Sequence, residues 1–193
     1  MGISNGVKKH IITVAGVPGS GKSSTAKQVA SLLGYEHFSS GDLFRKMASK
    51  RGLSVEELNF AAEKQQEVDR EVDELLKQLG EEKDKLVIDS RMAFHWIPDS
   101  FKVFLDLDWE IAMQRTFANI QKDGRTSQVG SSIEEVRQNT LKRNESEHKR
   151  YHNLYSVDIT DKTQFDLVVD TADKSIELVA KIVAEKYQQW LDS

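Results

Sequence analysis

The sequence predicts a single α/β domain in three layers: a five-stranded parallel sheet with helices on both faces, interrupted by a helical insertion and a short helical lid. Three observations carry this reading. Five short apolar runs alternate with longer segments of helical periodicity. The runs are mostly apolar throughout, as strands covered on both sides are. A glycine-rich turn joins the first run to the first helical segment, and such a junction presents backbone N–H groups to an anion.

The elements follow in order. "HIITVAG" is a β-branched strand closed by glycine. The helix after it carries Ala26, Val29, Ala30, Leu32 and Leu33, with Gly34 as its stop. "YEHFSS" is the second strand, and "GDLFRKMASKRG" a short helix ended by Gly52. Ser54 and Glu57 have capping-box spacing. A helix is expected to follow, with Val68, Val72, Leu75, Leu76 and Leu79 on one face and Gly80 after it. "DKLVIDS" and "SFKVFLDLD" are the third and fourth strands, and Asp108 caps a helix from Trp109 to about Lys122. Ser132 and Glu135 repeat the capping box before a long charged helix; "QFDLVVDT" is the fifth strand and "SIELVAKIVAEKYQQWL" a closing amphipathic helix. Residues 41–82 and 123–156 break the alternation, and insertions of this kind sit over the ligand edge of a parallel sheet.

Composition narrows the function classes. A length of 193 residues suits one domain. With no cysteine there are no disulfides and no thiolate metal sites, which fits a reducing cytoplasm. No run reaches the roughly 20 apolar residues of a membrane helix. The opening "MGISNGVKKH" has neither a signal-peptide core nor the sixth-position Ser or Thr of a myristoylation signal. A net charge of −4 argues against a dedicated nucleic-acid binder. The five histidines, His10, His37, His95, His148 and His152, have no metal-ligand spacing.

Residues Gly16, Val17, Pro18, Gly19, Ser20, Gly21, Lys22 and Ser23 spell G-x-x-x-x-G-K-[ST], with Ser24 following. The glycines let backbone N–H groups form a nest for phosphate oxygens, and the helix that follows aims its positive end at the same place. Lys22 then reaches the β- and γ-phosphates, and Ser23 offers a hydroxyl to Mg²⁺. A nucleoside triphosphate is the ligand these residues expect. The base-reading Asn-Lys-x-Asp of switch GTPases is absent, and motors run longer.

A set of arginines stands at element ends instead. "SSGDLFR" puts Ser40, Asp42 and Arg45 where the second strand meets a helix, and "IDSR" puts Asp89 and Arg91 at the end of the third strand. Arg115 lies on the helix after the fourth strand, and Arg143 and Arg150, seven apart, share a helix face.

The chain looks like a nucleoside monophosphate kinase and within that group resembles the compact cytidylate kinases. The passages that carry the resemblance are "SSGDLFRKMASKRGLSVEEL", "VIDSRMA" and "KRNESEHKRYHNLYSVDITDKTQFDLVVDT", and the likeness runs from about residue 10 to about 183. It implies a P-loop kinase fold with a core of about 8–40, 83–122 and 157–193, a monophosphate-binding insertion of about 41–82 and a lid of about 123–156. It implies transfer of the γ-phosphoryl of ATP to CMP or dCMP. Ser40, Asp42 and Arg45 would lie at the monophosphate site, with Arg45 and Arg91 gripping the acceptor phosphate. Arg143 and Arg150 would close over the transferring group, Arg115 would lie against adenine, and Asp89 would hold Mg²⁺ through water. The partners implied are small nucleotides, not nucleic acid or membrane, and the chain is expected to be a cytoplasmic monomer.

Alternatives stay open at this stage. Arg143 and Arg150 also read as an ion-paired solvated face, Arg115 as a surface residue, and Asp89 as a turn cap. Asp106 and Asp108 read as strand-end and cap residues. The family's usual glycine before the third-strand arginine is Ser90 here, whose side chain would narrow the acceptor pocket or change its preference. Phe94 and Trp96 read as core, or as contacts to the acceptor base. Rival functions are an adenylate-kinase-like or other small-molecule kinase with a different acceptor, and a non-catalytic nucleotide-binding module.

Overall fold

The structure, a computed structural model, describes residues 8–64, 67–123 and 132–193. Five strands form one parallel sheet: β1 (Ile11–Gly16), β2 (Glu36–Ser39), β3 (Leu86–Asp89), β4 (Phe101–Asp106) and β5 (Leu167–Asp170), in the order β2-β3-β1-β4-β5. Eight helices are described: α1 (Lys22–Leu33), α2 (Ser40–Lys50), α3 (Val55–Lys64), α4 (Glu67–Glu82), α5 (Ala93–Trp96), α6 (Trp109–Asp123), α7 (Ile133–Tyr155) and α8 (Ile176–Leu191).

β1 is central because all six of its residues are buried. Its side chains alternate between two cores, as a period of two requires. Ile12 and Val14 join Val87, Val103, Leu105 and Tyr187 in the core that includes residues of α1 and α8. Ile11 joins Leu76, Leu86, Ile88 and Ile97 in the core shared with α4 and α5. Ala15 packs with Met92, Phe94, Phe104 and Val157. Phe94 and Trp96 are therefore packing residues: Phe94 is buried against Phe165, and Trp96 packs on Tyr155.

Caps hold the helices where the spacing predicts them. The Ser54 hydroxyl accepts from Glu57 N–H at 3.0 Å while Glu57 accepts from Ser54 N–H at 2.7 Å. Asp108 and Ser132 accept from the first turns of α6 and α7. Residues 41–82 are helical as expected, but as three helices, with α3 and α4 replacing one. Gly80 does not stop α4; it lies inside it, buried against Ile97, where a Cβ would come within 2.7 Å of Ile97 Cγ1. Close packing, not termination, is its use. Two short elements escape the sequence pattern: α5 and a 3₁₀ turn at Lys162–Gln164. Of the lid expected over 123–156, residues 124–131 lie outside the described residues, and α7 makes up most of the rest. No helix among the described residues is long and apolar enough to cross a membrane.

Candidate active site

The loop after β1 is shaped by close approach. Gly16 adopts φ +142°, and a Cβ there would sit 2.2 Å from Leu105 O; Gly19 adopts φ +78° against Ala112 O. Val17 N–H donates to Leu105 O at 3.2 Å, tying the loop to β4. α1 opens at Lys22 behind Gly21, with no side-chain cap and no acidic residue in its first turn. Its leading N–H groups and positive dipole end therefore face the loop with no capping side chain of their own. The Lys22 ammonium donates to Val17 O at 2.9 Å, folded over its own loop. Burial, then Arg91 and Arg143, push its pKa down to about 7, against the pull of Asp89.

Asp89, at the C-terminal end of β3, is buried beside this loop. Its Oδ2 accepts from the hydroxyl of Ser23, and from Ser39 Oγ at 3.2 Å. Ser40 Oγ donates to the Asp89 carbonyl at 3.3 Å. A carboxylate touching the hydroxyl of the motif serine suits a hard divalent cation such as Mg²⁺. Among the described residues no group of three or more His, Cys, Asp or Glu could hold a metal alone. Ser90 lines the cleft, and its hydroxyl accepts from Met92 N–H at 3.3 Å, bracing the turn after β3.

The arginines divide. Arg91 and Arg143 share one carboxylate, Glu147 of α7: Arg91 pairs with Glu147 Oε2, and Arg143 Nε donates to Oε1 at 2.8 Å. Burial and the neighbouring Arg143 lower the Arg91 pKa, though not far enough to discharge it at neutral pH. Arg45, half-exposed, pairs with Asp42 in the first turn of α2. Arg150 pairs with a different carboxylate. Its guanidinium is buried and turned to Asp69 Oδ2 at 2.9 Å and Asn59 Oδ1 at 3.2 Å, so it bridges α7 to α3 and α4. Like Arg45, Arg91 and Arg143, it lines the cleft while paired with a carboxylate. Arg115 donates to the carbonyls of Thr171 at 3.0 Å and Ala172 at 2.6 Å and is not among the residues that line the cleft. It tethers the turn after β5, and Ala172 of that turn packs on the same apolar cluster as Val17.

One cleft of about 310 Å³ gathers the rest. Pro18, Gly19, Gly21, Lys22, Ser23 and Ser24 line one part of its wall; Ser40, Arg45, Asp89, Arg91, Arg143 and Arg150 also line it. Gly16, Val17, Ser20 and Asp42 support it without lining it. Sequence reasoning missed several lining residues: Asn59, Asp69, Asp73, Thr116, Asn119 and Glu147. Only Glu147 carried a signal, lying one turn from both Arg143 and Arg150.

A family model described as an AAA domain matches residues 15–158. The cytidylate kinase of Haloquadratum walsbyi is 37% identical over 162 residues, covering 84% of this chain and 81% of the relative. That of Archaeoglobus fulgidus is 34% identical over 173 residues, covering 89% and 91%. Among solved structures, shikimate kinase from Acinetobacter baumannii in complex with shikimate superposes with TM-score 0.60 at 17% identity, over 95% of each chain, a likeness of fold alone. With a phosphate loop and an arginine-lined cleft on a parallel sheet, and with relatives this similar over most of its length, the chain belongs to the cytidylate kinase family, on a P-loop kinase fold.

Proposed function

We propose that this chain transfers the γ-phosphoryl group of ATP to CMP or dCMP, giving ADP and CDP or dCDP. A single observation carries the proposal: the anion nest and the guanidinium groups of Arg45, Arg91 and Arg143 line one continuous cleft. The nest and the N-terminus of α1 hold the triphosphate, with Lys22 on its terminal phosphates. Ser23 and Asp89 would hold Mg²⁺, which when bound would draw negative charge from the phosphate oxygens. Arg45 and Arg91 grip the acceptor phosphate, and Arg143 meets the charge of the group in transfer. The acceptor oxygen attacks the γ-phosphorus as its bond to the ADP oxygen breaks, so the protein supplies alignment and charge rather than a covalent intermediate.

The helices over 41–82 serve as the acceptor-binding insertion and 123–156 as the lid; α7 excludes water by laying Arg143, Glu147 and Arg150 against the cleft. The enzyme works as a cytoplasmic monomer on free nucleotides. Incubation with ATP, Mg²⁺ and a panel of CMP, dCMP, UMP and AMP tests this. Selective CDP or dCDP formation supports it. Product only from AMP, UMP or a non-nucleotide acceptor makes the chain a different small-molecule kinase, and ATP binding without transfer makes it a nucleotide-binding module.

A further inference from the structure

A run of hydrogen bonds joins the phosphate-loop side of the cleft to the acceptor side, and its central residue has no part in the phosphoryl chemistry. Ser39, the last residue of β2, stands opposite Asp89 in the β2–β3 register, so adjacent strands bring the two side chains together. It is 6% exposed. Its hydroxyl donates to Asp89 Oδ2 at 3.2 Å, and the same oxygen accepts from Asp42 N–H at 3.3 Å as the N-cap of α2. On one side of this link Asp89 Oδ2 also accepts from the Ser23 hydroxyl at the start of α1. On the other, Asp42 holds Arg45. A Cβ on Gly41 would lie 3.6 Å from Arg45 Nη1 and 3.7 Å from Ser39 Oγ, so the guanidinium and the hydroxyl are near neighbours.

A hydroxyl has one proton to give. Ser39 gives it to a carboxylate, where charge strengthens the bond, and its lone pairs then receive Asp42 N–H. Bonds in such a chain polarise one another, so a change at Asp89 is felt at the first turn of α2. Ser40 makes a different bond: it donates to the Asp89 carbonyl, a backbone group that carries no charge. We infer that Ser39 is a positioning residue that couples the donor and acceptor sites. It fixes the Asp89 carboxylate beside Ser23 and ties α2, with Asp42 and Arg45, to that carboxylate. Engagement of Ser23 and Asp89 by a nucleoside triphosphate then aligns Arg45 for the acceptor phosphate. This rests on the assignment of the cleft to ATP-dependent CMP phosphorylation and adds to it a linkage between the two nucleotides. Such a linkage is a ratio of affinities, equal whichever nucleotide binds first.

The experiment measures CMP binding by calorimetry, with and without saturating β,γ-methylene-ATP and Mg²⁺, on wild type, Ser39→Ala, Ser39→Gly and Ser39→Thr. Wild type is expected to bind CMP about fivefold or more tightly when the analogue is present. Ser39→Ala brings that ratio to within about twofold of unity, and Ser39→Thr, which keeps the hydroxyl, restores it. Ser39→Gly separates coupling from capping, because glycine is well tolerated at an N-cap, and it too loses the ratio. A merely structural role would weaken CMP binding equally with and without the analogue; a ratio kept in Ser39→Ala and Ser39→Gly therefore overturns the inference. A wild-type ratio of unity overturns it without any variant. A wild-type enzyme that phosphorylates no cytidine monophosphate overturns the proposed function, and this inference with it; one that does, with the ratio unaltered in Ser39→Gly, overturns the inference alone.

Discussion

Lys22 illustrates how the site is primed for an anion. Its ordinary pKa of 10.5 falls to about 7 in the folded chain, through burial and the two guanidinium groups nearby. Between those values the unfolded chain binds the proton that the native chain does not, so this group's contribution makes stability rise with pH across that window. Bound phosphates return the pKa upward. ATP binding at pH 8 is therefore expected to take up as much as about one proton, read by calorimetry in buffers of different ionisation enthalpy, and proton release would contradict the placement. Arg45 carries a separate expectation. It is partly exposed and held by Asp42, so Arg45→Ala should keep the fold, raise the acceptor KM about tenfold or more and leave the ATP KM within about twofold. An unchanged acceptor KM would remove Arg45 from the site. Both residues are legible in the sequence because each stands in a short motif whose chemistry is local.

At the scale of elements, the caps and the strands are legible and the insertion is legible only as helix. The capping boxes at Ser54 and Ser132 succeed because a side-chain bond three residues away needs no tertiary partner. Gly80 fails as a sequence signal because glycine after an apolar stripe reads as a stop, whereas here it makes room for Ile97. Gly80→Ala is therefore expected to destabilise the protein. The helix propensity gained, about 1 kcal/mol, is exceeded by overpacking of about 1–3 kcal/mol against Ile97. A denaturation midpoint that rises would show that the contact yields. α5 escaped notice because four residues have no period to detect, yet it places Trp96, whose Nε1 donates to Asp73 at 2.9 Å beside the cleft.

At the scale of the molecule, Glu147 couples α7 to the end of β3. Glu147 is 6% exposed, and its carboxylate pairs with Arg91 from β3's end and with Arg143 on its own helix. Glu147→Ala leaves two guanidinium groups near Lys22 without that anion. The free protein should lose about 3–5 kcal/mol in chemical denaturation. Inorganic pyrophosphate, an anion for the same cations, should restore more stability to the variant than it adds to wild type. Equal stability of the two proteins would mean that the pairing contributes nothing. The Arg150 network has the same origin in the whole: Asp69 and Asn59 lie 81 and 91 residues before it. No spacing rule joins such positions, so the sequence shows an arginine on a charged helix and leaves open whether it faces phosphate, base or water.

The amino-acid sequence alone determined the parallel sheet, the phosphate loop and the positions of Arg45 on the helix after β2 and of Arg91 just past β3, because strand periodicity, glycine-rich turns and caps are interactions among near neighbours along the chain. Only the tertiary structure decided that Arg150 faces Asp69, that Arg115 holds the turn after β5, and that Glu147 sits between two arginines. Those outcomes depend on which charges are brought together when desolvated, and a buried charge takes the partner that packing delivers rather than one its own neighbourhood in sequence announces.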